Sequence, residues 1–204
     1  MQLAHSAKRF AFVAALLMIT TPALADAPSP KGRIDAVYGH IKQAASTATT
    51  QDELTQKVTA ELDTFIDYEA FSARTLKTTW PTLSPEKKAL FIERFKKLVI
   101  RTYAKKFKPG AEFSVEYRGE VAFNNPTKTD ATVKTTVRGT KDVAADVDYL
   151  IGFTDVAGNK SWRAYDIVVD EVSMALNWRQ QFEKIIKNEG FDALISKINK
   201  KVGE

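Results

Sequence analysis

Apolar and polar positions alternate with different periods in different parts of the chain. Phe10 to Ile19 (FAFVAALLMI) is one unbroken apolar run. Beyond it, apolar residues recur every three or four positions, which marks one face of a helix. The first such stretch starts at about Arg33 and carries Ile34, Val37, Tyr38, Ile41, Ala44 and Ala45. A second, opened by Asp52 and Glu53, carries Leu54, Val58, Leu62 and Phe65, and a short third runs from Asp67 to Lys77 with Phe71 and Leu76 inward. Ser84-Pro85-Glu86 supplies a capping hydroxyl and a first-turn proline. The helix it starts reaches about Phe107, stops at Pro109-Gly110, and has Leu90, Phe91, Phe95, Leu98, Thr102 and Tyr103 as its apolar stripe.

From Phe113 the period falls to two. Phe113, Val115 and Tyr117 alternate with polar partners, and Val121 to Phe123 follows a bend at Gly119. Ala131, Val133, Thr135 and Val137 alternate within Thr129 to Arg138, and Val147, Tyr149, Ile151 and Phe153 form the next strand. Gly139 to Asp146 and Asp155 to Asn159 read as hairpin turns. In the last strand Trp162, Ala164, Asp166 and Val168 fall on one face, and Arg163, Tyr165, Ile167 and Val169 on the other. Apolar residues on both sets predict cover on both sides. From Ser173 the helical period returns through Ala175, Trp178, Phe182, Ile185 and Ile186 to Gly190, and Phe191, Leu194, Ile195 and Ile198 make a last short helix. The pattern predicts an α+β fold. An antiparallel meander of four or five strands packs against N-terminal and C-terminal helices in one domain over residues 33–204.

The apolar run of residues 10–19 is too short to span a bilayer. With Lys8 and Arg9 before it and Ala23-Leu24-Ala25 after it, residues 1–25 read as a secretory signal cut after Ala25. Residues 26–32, Pro-rich, read as a mobile segment. The net charge of +5 then loses Lys8 and Arg9, and the absence of cysteine excludes both disulfides and a lipid-anchored cysteine. Of 204 residues 44% are hydrophobic and 27% charged, the balance of a globular chain that must rely on its core. For a bacterial chain the signal points to the periplasm.

Catalytic motifs are absent: there is no GxSxG, P-loop, GxGxxG or HExxH. Beyond the signal, His40 is the one histidine, and it reads as a surface residue rather than a base or ligand. Asp63, Asp67 and Glu69 lack the spacing of a calcium loop and read as capping and solvated groups. No metal site and no cofactor are expected. Asp166 stands in an otherwise apolar strand and needs a partner, for which Arg179 and Arg163 are the candidates. The helix from Ser84 has a basic face of Lys87, Lys88, Arg94, Lys96, Lys97, Arg101, Lys105 and Lys106. That face fits a solvated surface, or attraction to anionic membrane or an acidic protein; export and the lack of interleaved aromatics argue against nucleic acid.

Trp162, Tyr165-Asp166-Ile167, Glu171-Val172-Ser173-Met174 and Asn177-Trp178-Arg179 with Gln181-Phe182 resemble the motif of the MlaC (toluene-tolerance) family of periplasmic phospholipid-binding proteins. Trp80-Pro81-Thr82-Leu83-Ser84 and Phe91 through Tyr103 are similar to the same family's upstream helix. Two positions depart: Trp178 stands where tyrosine is usual, and Glu171 where glycine is usual before Val-Ser. The resemblance implies a monomeric carrier that moves phospholipid between an outer-membrane lipoprotein complex and an inner-membrane ABC transporter of MCE type. It implies acyl chains in a cavity between sheet and helices, with Tyr103, Tyr117, Val133, Tyr149, Ile151, Phe153, Tyr165, Ile167 and Phe182 facing them. Asp166 and Arg179 would contact the headgroup or form a structural ion pair. Read without the resemblance, the same apolar sheet surface, with small Ala131, Thr135 and Gly152 among large residues, suits either a filled core or a cavity. A solid-core accessory subunit, a carrier of another lipid such as a hopanoid, and an enzyme on this scaffold are the alternatives.

Overall fold

The computed structural model describes residues 29–139, 144–156 and 158–204; the expected signal, residues 26–28 and Thr140 to Val143 lie outside them. The helices are α1 (Pro30–Thr47), α2 (Gln51–Phe65), α3 (Tyr68–Thr75), α4 (Pro85–Tyr103), α5 (Met174–Glu189) and α6 (Phe191–Val202). The strands are β1 (Ser114–Tyr117), β2 (Ala122–Phe123), β3 (Asp130–Arg138), β4 (Ala144–Val156), β5 (Asn159–Val169) and β6 (Val172–Ser173). No described helix is long and apolar enough to cross a membrane.

Local chemistry sets the helix starts. Ser29, Thr50, Asp67, Ser84 and Ser173 each accept a bond from a backbone N–H in the first turn of the helix that follows. Pro30 and Pro85 occupy first-turn positions where no N–H is needed. Ser29 and Pro30 start α1 three residues before the expected Arg33, so residues 30–32 are helical rather than mobile. Asp67 also settles part of the acidic cluster, since it caps α3 while Asp63 takes Lys96 at 2.8 Å.

The sheet is antiparallel with the order β1-β3-β4-β5-β6, and β2 also pairs with β3. β1 pairs with Thr135 to Arg138 and β2 with Ala131 and Thr132, so the two are pieces of one edge strand broken at Gly119, whose φ is 80°. Opposite pairs give one face containing Val133, Tyr149 and Ile167, then Ala131, Ile151 and Ala164, then Thr135, Val147 and Val169. We call this the inner face.

The strict alternation expected along β5 does not hold. The register shifts between Leu150 and Ile151, so Asp166 pairs with Leu150 but Ala164 with Ile151. One extra residue at the bulge puts Trp162 and Ala164 on the inner face with Ile167 and Val169. Gly152 belongs to the opposite face, where Tyr165 covers it.

The helices stand in two tiers. α1 and α2 pack together and reach the inner face, where Tyr38 and Phe65 both meet Tyr149, while α3 and α5 pack along β5. α4 and α6 close over α3 and α5. An aromatic cluster of Phe71, Phe91, Phe95, Trp178 and Phe182 joins these tiers, with ring centroids 5.1–6.3 Å apart. Offset and edge-to-face pairs of this kind add to the area they bury.

β5 turns into β6 through Asp170 and Glu171, with φ of 47° and 67°. Two positive φ values are the signature of the tight hairpin turns that favour Asn-Gly. Asp170 tolerates the conformation because its carboxylate accepts the Asp146 N–H and its own N–H donates to Asp146 O, both at 2.9 Å. Glu171 gains no such bond in the turn, which explains why glycine would suit this position. Glu171→Gly is expected to raise the unfolding free energy by about 0.5–1 kcal/mol, measured by urea denaturation.

Candidate functional site

The inner face is an apolar floor with a few polar groups set into it. Ala131, Val133, Thr135, Ile151 and Ala164 are essentially without solvent contact. The row Ala131–Ile151–Ala164 runs small–large–small across three strands. Thr135 satisfies its hydroxyl on Val147 O at 2.9 Å. Above the floor, the Tyr38 and Tyr149 hydroxyls bond to each other, joining α1 to β4. Tyr117 extends this polar strip at the edge, donating to Asp35 of α1. Phe113, Phe107 and Tyr38 continue the aromatic lining, with neighbouring centroids 5.8 and 6.1 Å apart.

Six of the nine expected lipid-facing residues share this face: Tyr117, Val133, Tyr149, Ile151, Phe153 and Ile167. The other three are elsewhere. Tyr165 lies on the opposite face, over Gly152, with its hydroxyl donating to Asp130 at 2.9 Å. Phe182 and Tyr103 belong to the helical tiers, Phe182 packing edge-to-face on Phe91 and Phe95 and tilted against Trp178. Tyr165 thus sits beneath Arg74 of α3, whose guanidinium carbon is 5.7 Å from the ring centroid, while Phe182 packs within the helical aromatic cluster. Tyr38, Phe65 and Trp162 enter the site instead; Tyr38 and Phe65 are legible as apolar-stripe residues of their helices, but nothing local assigns them to the sheet.

Asp166 is fully buried, and its partner is neither Arg179 nor Arg163. Arg74 of α3 donates Nε to Oδ2 at 2.8 Å, and Ser173 Oγ donates to the same oxygen at 2.6 Å. Oδ1 accepts the N–H groups of Ile167 and Ala175 at 2.9 and 3.1 Å. Arg179 instead donates Nε to Arg74 O at 3.2 Å, capping an orphan carbonyl at the C-terminal end of α3. Arg163 reaches Asp63 O at 3.4 Å. These groups tie β5, α3 and α5 together and present no free charge to the inner face.

The basic face of α4 is largely answered within the chain. Arg94 and Lys97 pair with Glu204, Lys96 with Asp63 and Lys87 with Asp192, while Arg101 donates to Val202 O. His40 is mostly exposed and bonds Glu61 through Nδ1 at 2.7 Å; Glu61 also takes Arg33. Among the described residues, no group of three His, Cys, Asp or Glu side chains is placed to hold a metal ion. Two surface cavities stand outside the inner face. One of about 470 Å³ is lined by Arg118, Lys134, Asp146, Asp148, Asp170 and Glu171; the other, about 520 Å³, lies between α1 and α2 beside His40 and Glu61.

All six tyrosines are raised above their ordinary pKa, chiefly because burial penalises the phenolate. Burial, with Tyr38 and Tyr117 beside it, raises Tyr149 well above the ordinary value, and burial together with donation to Asp130 pushes Tyr165 up to about 12. An unfolded tyrosine ionises near pH ~10. The neutral form is favoured by folding, so this stability is complete below pH ~10 and is lost as pH rises above it. Absorbance titration of the native protein is expected to show few phenolates at pH ~11, against nearly full ionisation in urea. Six native phenolates titrating near ~10 would show that the hydroxyls are hydrated.

Comparison with known proteins bears on this site. A family model described as "MlaC protein" matches residues 31–200. A comparison with curated proteins gives no match. Seven chains among solved structures match. One is a phospholipid-binding protein from Ralstonia solanacearum in complex with a phospholipid; it is similar to this chain with a TM-score of 0.72 and 19% identity, over 86% of this chain and 97% of that one.

Proposed function

Because the chain belongs to the MlaC family, we propose that it is a phospholipid-binding carrier and performs no covalent chemistry. The observation that carries this reading is the inner face: a continuous apolar floor of Val133, Tyr149, Ile151 and Ile167, lidded by α1 and α2. The similar fold of a protein bound to phospholipid supports it. Acyl chains would be held by burial, at ~0.8 kcal/mol per methylene. The floor is closed by side chains, so entry of a chain requires α1 to lift and the Tyr38–Tyr149 bond to part. One lost hydrogen bond, at about 1 kcal/mol, is small against two or three buried methylenes.

On this reading residues 1–25 direct export and are removed after Ala25. Residues 33–204 act in the periplasm as one monomeric domain, receiving and delivering lipid at an outer-membrane lipoprotein complex and an inner-membrane ABC transporter of MCE type. The test is solvent extraction of the purified exported protein followed by lipid mass spectrometry. About one phospholipid per protein is the expected yield. The near-complete burial of Ala131, Ile151 and Ala164 favours a second reading, a solid-core accessory subunit of an envelope complex. That protein would return no stoichiometric lipid.

A further inference from the structure

The β4–β5 hairpin overhangs the sheet. β3 begins at Asp130, which pairs with Gly152, yet β4 continues to Val156 and β5 starts at Asn159. The projection past Gly152 is about 13 Å long. Beside it lies the turn from Asn124 to Thr129, held by Phe153 N–H donating to Thr129 O at 2.7 Å. This end of the sheet carries two of the four large apolar side chains most open to solvent, Phe123 at 42% and Val156 at 43%. Phe123 is not a stray ring: it leans on Trp162, which leans on Phe153, with centroids 6.5 and 5.4 Å apart. Phe123, Phe153 and Trp162 are all on the inner face, so the floor runs out into solvent here as an aromatic rim.

Cations flank the rim. Lys128 stands over the Phe123 ring with Nζ 5.6 Å from its centroid, and Lys160 is exposed on the overhang. Among the described residues neither makes an ion pair. The nearby carboxylates are engaged locally: Asp130 accepts from Tyr165 and Asn124, and Asp155 accepts from Gly158 N–H. On α4, by contrast, Arg94, Lys96 and Lys97 are paired with carboxylates and Phe91, Phe95 and Leu98 are buried. An exposed aromatic rim flanked by two lysines that form no ion pair, with Asp155 opposite Lys160, matches the interface of an anionic bilayer, which accepts apolar side chains and attracts basic ones.

We propose that the end of the sheet formed by Phe123, Lys128, Val156 and Lys160 docks on the surface of an anionic membrane. The contact would be weak and salt-sensitive, since it rests on two apolar tips and two charges. It stands apart from lipid loading, because sedimentation reads vesicle binding and extraction reads bound lipid. The exported protein is mixed with sedimentable vesicles of phosphatidylcholine, with or without phosphatidylglycerol. Binding is expected to the anionic vesicles, to weaken on the neutral ones and to fall with added salt. Phe123→Ser and, separately, the double variant Val156→Asp with Lys160→Glu should each weaken binding about tenfold. Both alter exposed positions, and an unchanged thermal midpoint shows that each folds. No sedimentation of the wild type with anionic vesicles, or equal binding by folded variants, overturns the proposal.

Discussion

Asp166→Ala will lower the free energy of unfolding by about 3 kcal/mol. The carboxylate accepts four bonds and sees no solvent. Its removal strands the Ile167 and Ala175 N–H groups and the Ser173 hydroxyl, at about 1 kcal/mol each. Arg74 adds less than a buried cation would, because its side chain is 38% exposed and can turn to water. That is why the loss should fall below the ~5 kcal/mol upper end for a broken buried pair. Asp166→Asn keeps an acceptor for the two N–H groups but turns an amide toward Arg74, so about half the loss is expected. Urea denaturation with an unchanged slope is the measurement. A loss under ~1 kcal/mol for the alanine variant would mean that the four bonds are not formed together in solution.

Ile151→Trp will cut the phospholipid recovered per protein by about fiftyfold, if burial of acyl chains is what holds it. Ile151 is the large member of the row between Ala131 and Ala164, at the centre of the floor. A larger ring there occupies the volume of about three methylenes, which at ~0.8 kcal/mol each accounts for that factor. Overpacking should cost about 1–3 kcal/mol, leaving the chain folded but weaker. Ala164→Leu raises the floor from the neighbouring strand and should act in the same direction. Lys134→Trp, on the exposed opposite face, is the control that should leave lipid content unchanged. Full lipid recovery from both inner-face variants would remove the inner face as the binding surface.

The helices and strands were legible because their signals are local. Ser84-Pro85, Asp67 and Ser173 announce helix starts within three residues, and the period of two along β3 and β4 fixes which side chains share a face. The β5 bulge was not legible, since one inserted residue leaves no mark on an apolar count; it moved Tyr165 to the far face. Long-range polar partners were hidden for a different reason. Arg74 is 92 residues from Asp166, and Tyr38 is 111 from Tyr149. A burial argument says that Asp166 needs a cation, but only the tertiary path decides which one arrives. The same holds for α4, where the neutralising carboxylates come from α2, α6 and the residues after it.

The broken edge of the sheet has one more consequence. A long free edge strand offers a template on which another chain can add by backbone pairing, the first step toward fibrils. Here one edge is interrupted at Gly119 into pieces of four and two residues. The other is occupied in part by β6 at Val168 and Val169 and by Ile66 beside Ala164, and its remaining stretch carries Lys160 and Arg163. A chain without cysteine, and so without disulfides, thus carries its own protection against cross-β assembly at both margins of its sheet.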